Sequence, residues 1–444
     1  MRTRIVIALL AWLVMLALSL QMPALSASKK PISFPTFLSE EGLQGSLQGQ
    51  AGIALDLNGD GNEDLVIGAP YAQHKGMKGA LLVYLSNSQE FPARPSTLLE
   101  GDGNLGWSLA SLGDIDGDGK EDLAAGAFSG SAEDVSLSGT VTLFKGGDKP
   151  TKLTLLSGEN ALDKFGYSLA SGDLNGDKFT DIVVGSPFHS PTPSLYQRGA
   201  VYVYFGPNYD AATCAKIPAT AANGGIGFSL AVGDVNGDGV DDLLMQASGK
   251  VIGFYGAKAS FSSNSTPDVV FSSTAAGFGR AITVLGDMDG DGFNDVAVGA
   301  DQATVAGVID SGQLFILRGG AGKRAVNANA ASSDLLARID GEPNCGRFGS
   351  LILSVGDVNG DRTPDLAVSA VHADGDPWLV TGKIYIMSGS ALTTGAEVIE
   401  AFPGEARNMH LGSFLAVVAK GGVLAAGAPT ENANTGRVRL FDLR

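Results

Sequence analysis

The sequence predicts an all-β fold, a seven-bladed β-propeller of four-stranded blades. Three observations predict it. Six aspartate-rich runs start 53 to 70 residues apart, a large apolar residue beside glycine precedes each run after the first, and a short apolar stretch ending in Gly-Ala or a variant follows most runs. A fixed order of elements at such a period is the signature of one repeated supersecondary unit.

Each repeat carries signals for four strands. In the second repeat they are a small apolar stretch at 108–112, a buried-looking strand at 123–127, a mostly apolar strand at 140–144 and a more polar segment at 152–156. The signal peptide is predicted at 1–27 and the propeller at 28–444. The blades are predicted at about 45–101, 102–160, 161–220, 221–273, 274–341, 342–404 and 405–444.

The seventh repeat has lost its carboxylates but keeps the frame, in Leu411-Gly412 and Gly427-Ala428-Pro429. It has no signal for a fourth strand. Residues 32–38, followed by Gly42, resemble the fourth-strand segments of other repeats. We therefore expect this N-terminal strand to complete the last blade and to close the ring without long exposed edges.

The first residues have the form of a secretory signal peptide. Arg2 and Arg4 precede an apolar stretch at 5–20, and small residues around Ala24 and Ala27 offer a cleavage site. An uncleaved anchor is the alternative. Export predicts a secreted or extracytoplasmic protein, in the periplasm or at the cell surface.

Carboxylate or amide side chains occupy the first, third, fifth and ninth places of each run, and the seventh place can offer a backbone carbonyl. Several carboxylates in one tight turn repel one another unless a divalent cation lies among them, and oxygen-only ligation suits Ca²⁺. Polar hairpin turns without a metal are the alternative. We expect up to six structural calcium ions. The predicted ligand sets are Asp56, Asn58, Asp60, Asn62, Asp64; Asp114, Asp116, Asp118, Lys120, Asp122; Asp173, Asn175, Asp177, Phe179, Asp181; Asp234, Asn236, Asp238, Val240, Asp242; Asp287, Asp289, Asp291, Phe293, Asp295; and Asp357, Asn359, Asp361, Thr363, Asp365.

The sixth place of the run is glycine in four repeats but Lys178 and Arg362 in the other two. A non-glycine residue can adopt a left-handed conformation there at a cost of about 1 kcal/mol or more. We expect those two sites to bind calcium more weakly.

The net charge of −17 is consistent with bound cations. Loss of Arg2 and Arg4 takes it to −19, and six divalent cations bring it to −7. No Lys/Arg cluster interrupts the acidic field, so we expect no nucleic-acid partner and no membrane insertion after signal cleavage.

The order of Phe-Gly, aspartate-rich loop and Gly-Ala-Pro resembles the FG-GAP repeat of the integrin alpha-subunit head, over roughly residues 32–444. This resemblance implies a seven-bladed propeller whose calcium loops join the first and second strands of a blade on the lower face. It also implies protein or matrix-like recognition, as in cell adhesion. The chain carries the loop in its first six blades, whereas integrin heads concentrate it in later blades.

On the opposite, upper face lie the loops from second to third and from fourth to first strands. Binding residues usually reside on loops displayed by a rigid scaffold. We therefore predict a binding or adhesion module for an extracellular protein or glycan, with exposed aromatic residues on this face. The candidate partner-face residues are Tyr71, His74, Phe128, Phe188, His189, Tyr196, His372, Trp378 and His410.

Two alternatives stay open. A polysaccharide-acting enzyme would have its site at the upper mouth of the channel if His74, His372 and His410 converge beside an acidic residue. A purely structural surface protein would have flat, pocketless loops there. We expect no catalysis, because the sequence has no GxSxG elbow and no paired carboxylates outside the loops.

Overall fold

A computed structural model describes residues 19–21, 46–74, 77–87, 91–92, 94–132, 135–220, 224–257, 261, 266–329, 333–344, 346–373, 380–392, 396–418, 422–431 and 436–443. Over these residues, seven β-sheets, one for each predicted repeat, form a ring. The protein is a seven-bladed β-propeller. The described part of the chain contains no helix long and apolar enough to span a membrane.

The first three blades are four-stranded antiparallel sheets whose strands pair in sequence order. Blade 1 contains β2 (Gly52–Leu55), β3 (Asp64–His74), β4 (Met77–Tyr84) and β5 (Thr97–Glu100). Blade 2 contains β6 (Ser108–Gly113), β7 (Asp122–Ala127), β8 (Thr140–Lys145) and β9 (Thr151–Ser157). Blade 3 contains β10 (Ser168–Gly172), β11 (Asp181–Ser186), β12 (Ala200–Tyr204) and β13 (Ala215–Pro218), with a 3₁₀ turn at Pro193–Leu195.

Blades 4 and 5 each gain a fifth, parallel strand on the outer edge. Blade 4 contains β14 (Leu230–Gly233), β15 (Asp242–Ala247), β16 (Lys250–Phe254) and β17 (Val269–Ser272), extended by β21 (Arg324–Asn327). Blade 5 contains β18 (Phe278–Val284), β19 (Val296–Ala300), β20 (Gln313–Leu317) and β22 (Leu335–Asp340), extended by β1 (Ser19–Gln21). β1 falls within the segment predicted to be the signal peptide.

Blade 6 contains β23 (Phe348–Gly356), β24 (Asp365–Ala370), β25 (Lys383–Met387) and β26 (Val398–Pro403). The described residues of blade 7 form three strands, β27 (Leu415–Val418), β28 (Val423–Ala428) and β29 (Arg437–Asp442). The predicted closing strand at 32–38 lies outside the described residues.

Small residues in the second strands let neighbouring blades approach closely. All six residues of β7, β11, β24 and β28 are buried. A Cβ added at Gly126 would lie 2.2 Å from the carbonyl oxygen of Gly166 in the next blade. The glycine of the Gly-Ala that follows the acidic run therefore packs directly against the glycine that follows the apolar residue of the next blade.

The apolar core is divided among the seams between neighbouring blades, and each of the seven described clusters draws on two blades. At the seam between blades 7 and 1, Phe414 and Leu440 pack with Tyr84. A Cβ at Gly427 would lie 2.1 Å from the carbonyl oxygen of Gly49, the same contact as at the other seams. Packing between blades thus joins the last blade to the first.

Candidate functional site

Six loops connect the first to the second strand of blades 1 to 6, and they define the lower face of the propeller. The first-place aspartate folds each loop around its own side chain. In the first loop, Asp56 Oδ1 accepts hydrogen bonds from the N–H of Gly59 at 2.9 Å and of Asp60 at 3.0 Å, and Oδ2 accepts from Gly61 at 2.8 Å. First-place aspartates in the other five loops accept in the same way. The six runs are therefore one structural motif.

The sixth-place conformation matches the sequence prediction. Lys178 has φ of 72° and Arg362 has φ of 74°, close to the 84° of Gly61 at the same place in the first loop. Their N–H groups donate to Asp173 and Asp357 as the glycine N–H groups do elsewhere. These two residues thus keep the loop geometry while occupying a region that side chains normally avoid.

The ninth-place aspartates are fully buried and tie the loop to the third strand. Asp64 accepts from Leu57 N–H within its loop at 3.1 Å and from Ser86 N–H beyond β4 at 2.8 Å. The same pair of bonds recurs at the five equivalent carboxylates, Asp122, Asp181, Asp242, Asp295 and Asp365.

Burial raises the pKa of most of these ninth-place carboxyls, because removal from water disfavours the charged form. The pKa rises to about 6 for Asp64, Asp181 and Asp295 and to about 7 for Asp242, although the backbone hydrogen bonds oppose the shift. The fold thus holds these four carboxylates in place at an electrostatic cost.

The acidic side chains converge closely enough to hold a cation in two loops. One oxygen each of Asp114, Asp116 and Asp122 lie within 4.8 Å of one another, and so do oxygens of Asp287, Asp289 and Asp295. This donor set consists of carboxylate oxygens only, which fits a hard divalent cation such as Ca²⁺ better than a transition metal. The residues present fit the predicted ion.

The sequence prediction missed two kinds of residue at these loops, an acidic residue at the eighth place and a basic residue at the end of the third strand. The eighth-place Glu121 accepts Asp56 N–H of the preceding loop at 3.1 Å, and Asp241 accepts Asp173 N–H at 2.9 Å. Lys145 and Arg318, at the ends of third strands, form ion pairs with the third- and fifth-place carboxylates. An alignment of the six repeats places these residues at equivalent positions, but those positions are not acidic or basic in every repeat, so the repeat pattern alone does not reveal their contacts.

On the upper face, a cavity of about 340 Å³ opens at the mouth of the central channel. It is lined by the starts of the first strands of all seven blades. The residues that follow the repeat glycine differ around this ring, and they include Tyr167 and Phe228 on one side and Arg280 and Ser413 on the other. One side of the mouth is therefore aromatic and the other polar.

The aromatic side is one connected cluster from blades 2 to 4. Trp107 lies 4.7 Å from Phe128 and 5.4 Å from Tyr167 between ring centroids, and Tyr167 lies 5.5 Å from Phe228. Lys164 Nζ sits 4.1 Å from the centroid of the Phe128 ring, a cation–π contact. Burial lowers the pKa of this lysine.

The polar side holds a buried carboxylate. Asp301 is 7% exposed, and its Oδ1 has no hydrogen-bond partner, while Arg280 Nε lies 3.7 Å away. Burial raises the pKa of Asp301. Arg280 itself is half-exposed at the rim.

Of the predicted partner-face residues, Tyr71 and Tyr196 are exposed and Phe188 is half-buried. Phe128 and His189 are buried, contrary to the expectation that they face solvent. Phe128 packs against Trp107 and Lys164, and His189 Nδ1 lies 2.6 Å from the buried carboxylate of Asp163. The side chain of His74 and all of Trp378 lie outside the described residues.

His372 and His410 meet on the upper face between blades 6 and 7, with ring centroids 5.3 Å apart. His410 Nδ1 lies 2.6 Å from Thr430 Oγ1. Burial, followed by the positive charge of Arg347, lowers the pKa of His372 to about 4, and burial also lowers that of His410. Both imidazoles are neutral at pH 7. Two of the three predicted histidines therefore converge.

The fold and these loops define a class, the β-propellers whose blades carry an acidic loop between their first two strands. Family models match this repeat directly. The FG-GAP repeat matches residues 165–204, 226–254 and 278–317, and the FG-GAP-like repeat matches residues 56–125. The chain belongs to the integrin alpha-like family of FG-GAP propellers.

Curated relatives agree with this assignment. Integrin alpha-PS2 of Drosophila melanogaster is 30% identical over 74% of this chain and 21% of its own length. Integrin alpha-V of Gallus gallus is 30% identical over 64% of this chain and 22% of its own length. Phosphatidylinositol-glycan-specific phospholipase D of Bos taurus is 26% identical over 78% of this chain and 46% of its own length. The chain thus spans about a fifth of the integrin subunits and about half of the phospholipase.

Proposed function

We propose that this chain is an exported, calcium-stabilised propeller that binds an extracellular protein or glycan through its upper face. The lower-face loops supply the ion sites. Each ion would be held by the side-chain oxygens of the first, third, fifth and ninth places and would add its binding energy to the stability of the folded state.

The observation that carries the recognition role is the asymmetric mouth of the channel. Its aromatic cluster of half-buried, edge-to-face rings offers apolar surface for side chains or sugar rings, and Arg280 offers directed hydrogen-bond donors. Aromatic residues and arginine are the residue types enriched where proteins bind their partners. The integrin relatives support an extracellular protein as one class of ligand.

The test is a pull-down of the chain against arrays of extracellular proteins and glycans, with and without Ca²⁺. The upper-face variant combines Tyr71→Ser, Tyr196→Ser and Arg280→Gln. The control variant combines Leu153→Ser and Leu155→Ser, two exposed leucines on the outer strand β9. Binding lost only in the upper-face variant supports the proposal. Binding that survives the upper-face changes would overturn the placement of the site.

A second candidate function is hydrolysis of an extracellular glycan, in which the paired imidazoles of His372 and His410 would act as proton acceptors. One relative is a phospholipase by name. The test is release of reducing ends from polysaccharides by wild-type chain and by His372→Asn/His410→Asn. Release that the double variant abolishes would support an enzyme, and no release by the wild type would exclude it for those substrates.

A further inference from the structure

The six acidic loops fall into two chemical types, and the third place distinguishes them. Four loops have asparagine there, at Asn58, Asn175, Asn236 and Asn359, and two have aspartate, at Asp116 and Asp289. Counting first-, third-, fifth- and ninth-place side chains, the asparagine loops carry three carboxylates and the aspartate loops four.

In the asparagine loops, the third-place amide donates a hydrogen bond to another loop carboxylate. Asn58 Nδ2 donates to Asp60 Oδ2 at 3.3 Å, and Asn175 Nδ2 donates to Asp177 Oδ2 at 3.0 Å. Asn359 repeats this contact, while Asn236 donates to its ninth-place carboxylate. An aspartate at the third place has no such donor, so the fifth-place carboxylate needs another partner.

A basic side chain from the end of the third strand supplies that partner in both aspartate loops. Lys145 Nζ lies 2.5 Å from Asp116 Oδ2 and 3.3 Å from Asp118 Oδ2. Arg318 forms an ion pair with Asp289 Oδ2, and its Nε lies 3.2 Å from Asp291 Oδ2. In both loops, one cation bridges the third and fifth places.

The matching position in the other four blades is uncharged. It directly precedes the residue whose N–H donates to the ninth-place carboxylate, and it holds Leu85, Phe205, Tyr255 and Ser388. A basic residue at this position therefore accompanies a third-place aspartate in both cases and a third-place asparagine in none. Counting only this side chain and those of the first, third, fifth and ninth places, each of the six sites carries a net charge of −3. The second loop holds a further cation, Lys120, whose Nζ lies 3.5 Å from Asp118 Oδ2.

We propose that Lys145 and Arg318 are built-in counter-cations that set the calcium affinity of the second and fifth loops. This inference rests on the proposed calcium binding. Each offsets the charge of the fourth carboxylate, so that a loop with four acidic ligands binds Ca²⁺ about as tightly as a loop with three. The basic side chain repels the incoming divalent ion and limits the affinity that the extra carboxylate would otherwise give.

The test is a charge-compensation cycle on the full chain, followed by calorimetric titration of the calcium-free protein with Ca²⁺. Lys145→Leu removes the cation that bridges Asp116 and Asp118 and leaves only the longer Lys120 contact to Asp118, so one site should bind about 10- to 100-fold more tightly. Asp116→Asn should weaken that site by a similar factor. The double variant recreates the Asn58 and Leu85 chemistry of the first loop and should return to within about threefold of wild type.

A matched control and a reciprocal arm keep the result interpretable. Lys152→Leu removes the same charge from the adjacent strand β9, where the side chain is exposed, and should leave the isotherm unchanged. In the first loop, Leu85→Lys should weaken one site, and adding Asn58→Asp should restore it.

The outcomes distinguish a failure of the proposed calcium binding from a failure of the counter-cation role of Lys145. Wild-type chain that takes up no Ca²⁺ would overturn the proposed calcium binding. Wild-type chain that binds Ca²⁺ with no gain in affinity from Lys145→Leu, or with a loss, would overturn only the assignment of Lys145 as a counter-cation.

Discussion

The two faces of the propeller differ in how their residues vary around the ring. On the lower face, the same first-place and ninth-place hydrogen bonds recur in six blades. On the upper face, the residue after the repeat glycine is aromatic in blades 2 to 4 and polar in the others. Under the proposed function, the uniform face stabilises the six blades that carry the loop, whereas the varied face recognises one particular partner.

Removal of calcium should have the largest effect on the stability of the chain, and it tests the role of the lower face directly. Each site loaded at about 100 times its dissociation constant adds about 2.7 kcal/mol. Six sites would therefore shift the melting temperature by well over 10 °C between millimolar Ca²⁺ and EDTA, read by circular dichroism. Mg²⁺ at the same concentration is the control and should restore less, because it dehydrates reluctantly. A melt that is identical in EDTA and Ca²⁺ would contradict calcium binding.

Asp242→Asn should separate the structural part of a loop from its ion-binding part. Asparagine turns an NH₂ group towards one of the two backbone donors, Val235 and Gly256, that Asp242 satisfies. We expect a loss of about 2 to 4 kcal/mol in unfolding free energy, even in EDTA. Asp238→Asn, at the exposed fifth place, should cost less than 1 kcal/mol in EDTA. Urea unfolding of both variants measures the difference, and equal losses would contradict the special role of the ninth place.

Much of the fold could be predicted from the sequence because the same pattern recurs along the chain. The spacing of the runs and the strand signals around them predicted the blades, and the left-handed conformation of Lys178 and Arg362 followed from their place in the run. Contacts between distant elements could not be read in this way. The pairing of Lys145 with Asp116 joins residues on different strands, and the burial of Phe128 depends on Trp107 and Lys164. The predicted position of a loop residue does not show which side chains from other strands pack against it.

On the upper face, the His372 and His410 pair should make the stability of the folded chain sensitive to mild acid. The folded chain holds His372 neutral down to about pH 4, whereas the unfolded chain binds a proton near pH 6.5. The unfolding free energy therefore keeps its full value above pH 6.5. As the pH falls towards 4, protonation of His372 in the unfolded chain lowers it, by up to about 2 kcal/mol for a half-buried group.

Urea unfolding of wild type and His372→Asn at pH 7 and pH 5, in constant Ca²⁺, measures that loss. The variant should lose less stability between the two pH values. Arg347, Asp310 and His410 influence this imidazole and are retained in the variant, so the difference reports His372 alone. Parallel losses in the two proteins would show that His372 protonates freely in the folded state.

The smallest effect should come from relieving the backbone of the third loop. Lys178 adopts φ of 72° to donate its N–H to Asp173 Oδ2 at 2.8 Å. Glycine reaches this conformation without strain but loses more entropy on folding, so Lys178→Gly should gain only about 0.5 kcal/mol. Gly119→Lys in the second loop is the reverse change and should cost about 1 kcal/mol. Thermal melts in EDTA measure both changes. A loss of stability on Lys178→Gly would mean that the lysine side chain itself holds the loop. This lower-face position would then depend on one specific residue, as the upper-face positions do.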